Sequence, residues 1–124
     1  MPAILDSGAR DTGCILSEPN GHRGRANIVI AAGAGILAPN TVLAKVTASG
    51  KYVTAKATGS DGSQTAAAVL LYGVDATAGD VWVAGLVRDA EVNGKTLVYD
   101  PSISSQALRL AKDAELAAAG IIVR

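Results

Sequence analysis

Cys14 and His22 are the two residues of this 124-residue chain whose types are best suited to nucleophilic or metal chemistry. A catalytic thiol–imidazole pair needs both groups within hydrogen-bonding distance and a rigid frame to hold them there. The surrounding text, rich in Gly, Asp, Ser, Arg, Asn and Pro, offers no such frame, and two ligands without Cys or His neighbours make no zinc set. A second lead is Gly33-Ala34-Gly35-Ile36-Leu37-Ala38, which has the form GxGxxA behind the β-branched run Asn27-Ile28-Val29-Ile30-Ala31. That fingerprint holds a dinucleotide only when the glycine turn opens a helix and an acid follows about twenty residues on. Here Pro39-Asn40 stops any helix at once, and no acid stands between Glu18 and Asp61. The glycines are expected to bend the backbone into a sheet instead. HExxH, CxxC, a phosphate loop, a nucleophile elbow and paired carboxylates in a recognisable frame are all missing from the sequence. The chain therefore reads as a structural protein rather than an enzyme, with no cofactor and no metal.

Composition narrows the classes further. Eleven basic and eleven acidic residues cancel, leaving no global field to hold nucleic acid or an anionic membrane. Apolar runs are broken by Gly or charge well before the roughly 18 residues that a membrane span needs. Met1-Pro2-Ala3-Ile4-Leu5-Asp6 has neither the basic start nor the apolar segment of a secretory signal. A single cysteine cannot form an internal disulfide, which fits a reducing cytoplasm. Hydrophobic residues make up 49% of the chain but aromatics only 3%, so the core must be built from Val, Ile, Leu and Ala. Small side chains each bury little area at about 25 cal/mol per Å², and contacts between subunits would add to a modest core.

The elements that position these residues follow from periodicity. Val42-Leu43-Ala44-Lys45-Val46 and Lys51-Tyr52-Val53-Thr54 alternate with a period of two about a turn at Thr47-Ala48-Ser49-Gly50, and so predict a hairpin. Ala66-Ala67-Ala68-Val69-Leu70-Leu71-Tyr72, after the polar loop Lys56 to Thr65, is apolar on both faces, as a doubly buried strand would be. Val81 to Arg88 is a second such strand, with Trp82 expected in the core and an interface as the alternative. Asn93-Gly94 is a type I′ signal for a hairpin returning through Thr96 to Tyr99. Asp100-Pro101 is expected to open a helix, with Asp100 or Ser102 as N-cap and Gly120 at the C-terminal cap. Ala107, Leu110, Ala111, Ala114, Ala117 and Ala118 form its predicted inner face. Arg109, Lys112, Asp113 and Glu115 form the solvated one, and Leu116 is expected to be exposed among them, with a subunit contact as the alternative. Ile121-Ile122-Val123 ends the chain as a short strand. The result is a mainly β, α+β fold: a small barrel or sandwich with one C-terminal helix.

The ordered phrases "ILAPNTVLAKVTASGKY" and "SDGSQTAAAVLLYGVDATAGD", from about Gly33 on toward the C-terminal Gly120-Ile121-Ile122-Val123, resemble the head decoration proteins of lambda-like tailed bacteriophages. The resemblance implies homotrimers on threefold axes outside the expanded capsid, bound to the major capsid protein and holding the shell against the pressure of packaged DNA. It implies a product of the host bacterial cytoplasm that ends on the outer surface of the virion. Residues 1–25 are expected to be a flexible arm and residues 26–124 a single β-rich domain, since the arm's composition cannot offset the cost of ordering it. By the family's behaviour the arm would order on the capsid by adding extended backbone. Ile4, Leu5, Ile15 and Leu16 would be its pocket-seeking side chains, with Arg23 and Arg25 as contacts for acidic groups. The alternative is a small hammerhead-like carrier or ligand-binding module, against which Lys45 sits within a strand and not at the hairpin tip.

Overall fold

The alternating text of residues 42–54 forms the expected hairpin, and the sheet grows outward from it. The computed structural model describes residues 10–124. Ten strands run in the order β1 (Ile15–Ser17), β2 (Arg25–Ile30), β3 (Ile36–Leu37), β4 (Val42–Lys45), β5 (Tyr52–Thr54), β6 (Ala66–Leu70), β7 (Val74–Asp75), β8 (Val81–Leu86), β9 (Ala90–Val92) and β10 (Ile121–Val123). One helix, α1 (Gln106–Ala118), precedes the last of them. Strands β2, β5, β4, β6 and β8 close into a barrel, with β8 running antiparallel to β2 along its whole length. The fold is thus mainly β with a single C-terminal helix.

Two apolar clusters divide the work. Inside the barrel sit Ile28, Ile30, Leu43, Ala68 and Leu70. Gly85 lets β8 close on this interior, because a Cβ there would lie 2.6 Å from Ile28 Cδ1. The second cluster lies on the other face of the same strands, where Val42, Ala44, Val69 and Leu86 meet Cys14, Val92, Leu116 and Ile121. Its cover is a three-stranded sheet, β1-β9-β10, together with α1. A strand such as β6 is therefore buried from both sides, as its continuous apolar text requires.

Three expectations are corrected. Asn93-Gly94 makes no returning hairpin, because neither residue takes the positive φ that a type I′ turn demands. Asn93 Oδ1 instead accepts from the Lys95 N–H, and the chain runs on to Val98, which bridges Thr41 in parallel register. The helix starts later than Asp100-Pro101, capped by Ser105, whose Oγ accepts from the Leu108 N–H at 3.3 Å. Asp100 is taken by the preceding turn, where it accepts from Ser102 and from Thr54 Oγ1.

The third correction concerns which way the helix faces. Lys112 and Leu116 are buried, while Ala107, Leu110, Ala111, Ala114, Ala117 and Ala118 lie outward. The Lys112 ammonium, only 4% exposed, donates to the Gln64 carbonyl and pairs with Glu115 at 2.9 Å. Glu115 in turn accepts from the Ala66 N–H at 3.1 Å, at the start of β6. A lysine with its charge met by a carbonyl and a carboxylate can lie inward, where its stem fills apolar space. Lys112→Met should cost about 1–3 kcal/mol, because the Gln64 carbonyl loses its partner. Urea unfolding measures this, and unchanged stability would count against the buried network.

Candidate functional site

Cys14, the best nucleophile in the sequence, is fully buried. Its N–H donates to Asn40 Oδ1 at 3.1 Å and its carbonyl accepts from the Asn93 N–H at 2.8 Å. Burial pushes its thiol up to about 11, which suits a packing residue and not a reactive one. His22 lies on a single 3-10 turn, Asn20–His22. Gly33 and Gly35 both take positive φ and lead into β3, which pairs with β7 and opens no helix. Lys45 ends β4 opposite Tyr52.

Of the residues assigned to an N-terminal arm, Ile4 and Leu5 lie outside the described residues. Ile15 packs on the outer apolar cluster and Leu16 points to solvent, both on β1, which pairs antiparallel with β9. Arg23 is exposed, and its carbonyl accepts from Arg88 Nη1 at 2.6 Å. Arg25 is the first residue of β2 and forms a two-pronged pair with Glu18, at 2.7 and 2.9 Å. The described residues before Arg25 are thus hydrogen-bonded into the domain, although their composition suggested otherwise. Local composition misses this because the contacts come from far along the chain: Leu71 accepts from the Thr12 N–H, and Asn40 bonds Cys14.

The carboxylates are engaged in holding turns. Asp61 bonds Ser63, Asp75 bonds Thr77 and Asp100 bonds Ser102, each through the N–H and the hydroxyl two residues on. Those bonds hold Asp61 and Asp75 below the usual carboxylate range. For Asp100, burial acts upward, yet the Ser102 and Thr54 bonds leave it lowered. The recurring D-x-S/T spacing is a sequence signal for these self-bonded loops. Among the described residues no group of three His, Cys, Asp or Glu side chains could hold a metal ion. Nor is any helix among them long and apolar enough to cross a membrane.

Several large apolar side chains are left open to solvent. Trp82 is 73% exposed, not in the core as its strand position suggested. Strand parity explains the outcome: Val81, Val83 and Gly85 take the inward positions of β8, which leaves Trp82, Ala84 and Leu86 on the other face. Ala84 and Leu86 are covered by the outer cluster, and Trp82 is not. Ile36, 79% exposed, borders a shallow groove of about 230 Å³ with Val98, Thr41 and Pro101. Leu110, 57% exposed, stands on the outward face of α1. Isolated exposed apolar residues of this kind are ordinary on a domain of this size.

A family model described as Bacteriophage lambda head decoration protein D matches residues 4–121. The chain belongs to that family. No individually curated protein matches it. Membership brings a head-decoration role and, with it, binding to a phage capsid and a place in the virion.

Two measurements check this surface. Cys14 should resist a thiol reagent at pH 8 in the native protein and react fully once unfolded; fast native labelling would contradict its burial. The single Trp of the isolated chain should emit like indole in water and be readily quenched by acrylamide. Blue-shifted, protected emission would contradict its exposure.

Proposed function

We propose that this protein decorates the outside of the expanded phage head as homotrimers at threefold sites, bound to the major capsid protein, and stabilises the shell against the pressure of packaged DNA. The observation that carries the reading is the family match over nearly the whole chain. The physical logic is multivalency: weak contacts from three copies add up, because the second and third engagements are intramolecular. Production in the host cytoplasm before assembly accords with a buried, unpaired Cys14.

The N-terminal contacts of this reading centre on Ile4 and Leu5, with Leu16 and Arg23 exposed nearby in sequence. Ile15 and Arg25 already hold partners within the domain, so their contact with a shell would require those to be given up. Extended backbone added to a sheet of the capsid would supply hydrogen bonds, and the apolar side chains would supply specificity.

Co-sedimentation with expanded, undecorated heads tests the proposal. The intact protein should bind saturably, and deletion of residues 1–9, which spares β1 and Cys14, should weaken binding by about tenfold or more, the equivalent of 1.4 kcal/mol. No binding by the intact protein would refute decoration, and binding indifferent to the deletion would refute the N-terminal contact.

A further inference from the structure

A cleft of about 430 Å³ opens beside α1, between the helix, the turn at Gly94–Lys95 and the end of β10. Three cations line it, Lys95, Arg109 and Arg124, in a chain whose formal charge is zero. Its single lining carboxylate side chain, Asp113, accepts from the Tyr99 hydroxyl at 2.5 Å. Arg109 lies over the Tyr99 ring, 5.5 Å from its centroid, and Arg124 pairs with Glu91 at 3.0 Å. Neither Lys95 nor Arg109 has a carboxylate partner among the described residues. Leu110 and Val123 supply apolar wall, and the exposed alanines of α1 continue that surface past Leu110.

We propose that this cleft, with Lys95 and Arg109 at its mouth and Leu110 on its wall, is a docking site for an acidic segment of the shell protein that also carries an apolar side chain. The inference rests on the head-decoration reading. Charge complementarity identifies the chemistry: two unpaired cations brought together from a turn and a helix favour carboxylates, and the open wall favours a chain over a small anion. A second copy of this protein is the poorer source of acid, since its described carboxylates mostly have bonds of their own to keep. Among the described residues every carboxylate except Asp89 already holds a partner within its own chain: Asp11, Asp61, Asp75 and Asp100 in turns or on backbone, Glu18, Asp80, Glu91 and Glu115 in ion pairs, and Asp113 on Tyr99. The head-decoration reading names the shell as the source of the acidic segment. The inverted helix supports the same assignment, since it turns its leucine and alanines outward beside the cations.

Binding to expanded, undecorated heads across a salt series tests the assignment. The pair Lys95→Glu/Arg109→Glu should lose at least about tenfold in affinity and show a flatter salt dependence than the unaltered protein. Lys45→Glu/Lys56→Glu, an equal charge reversal at exposed positions elsewhere, should bind within about twofold, and Lys95→Arg/Arg109→Lys should retain binding. Melting curves establish that each variant is folded; if the reversal is not, Lys95→Gln/Arg109→Gln takes its place and should lose affinity in the same direction. A folded reversal that binds as tightly as the unaltered protein, or a control pair that loses as much, overturns the docking site and leaves decoration standing. Failure of the unaltered protein to bind heads overturns decoration and the docking site with it.

Discussion

The Lys112 ammonium fixes how the helix lies on the barrel, and much of the molecule's surface follows from it. Bonded to the Gln64 carbonyl and to Glu115, whose other contact is the Ala66 N–H, it ties α1 to the loop and first residue of β6. The cost of burying a charge is offset only because carbonyl and carboxylate are both in place. Once Lys112 and Leu116 face in, helical geometry leaves the alanines and Leu110 no position but outward.

The same layer explains why the small, aromatic-poor core is sufficient. Barrel strands packed on one side alone would leave Val42, Val69 and Leu86 open. The sheet β1-β9-β10 and α1 close over them, and both ends of the described chain take part, through Cys14 and Ile15 at one end and Ile121 and Val123 at the other. Apolar surface remains open at Trp82 and Ile36, and at Leu110 on the outward side of the covering helix.

Local pattern made the hairpin β4–β5, the doubly buried strands β6 and β8 and the closing strand β10 legible, because period-two alternation and continuous apolar runs each have one stable solution in a small sheet. The helix was legible as a helix but not in its orientation. Counting Ala as apolar and Lys as polar turns the wheel the wrong way when a lysine is met by a backbone carbonyl, although the Lys112–Glu115 spacing was available as a hint. Asn93-Gly94 misled for a related reason: its turn preference was overridden by pairing of the neighbouring segments with Thr41 and with the chain end at Arg124. Trp82 could not be placed from its strand alone, since both faces of β8 are apolar and only the extent of the covering layer decides which residues are left out. Residues 10–25 read as polar arm because their partners, Asn40, Leu71 and Val92, lie far along the sequence.

The proposed docking site requires that the outward face of α1 and the cleft beside it be turned to the shell. A cryo-electron microscopy reconstruction of heads decorated with this protein, at a resolution that separates helices, tests it most directly. Capsid-protein density is expected against Lys95, Arg109 and Leu110. A reconstruction in which α1 faces bulk solvent on the outer surface of the particle would contradict it.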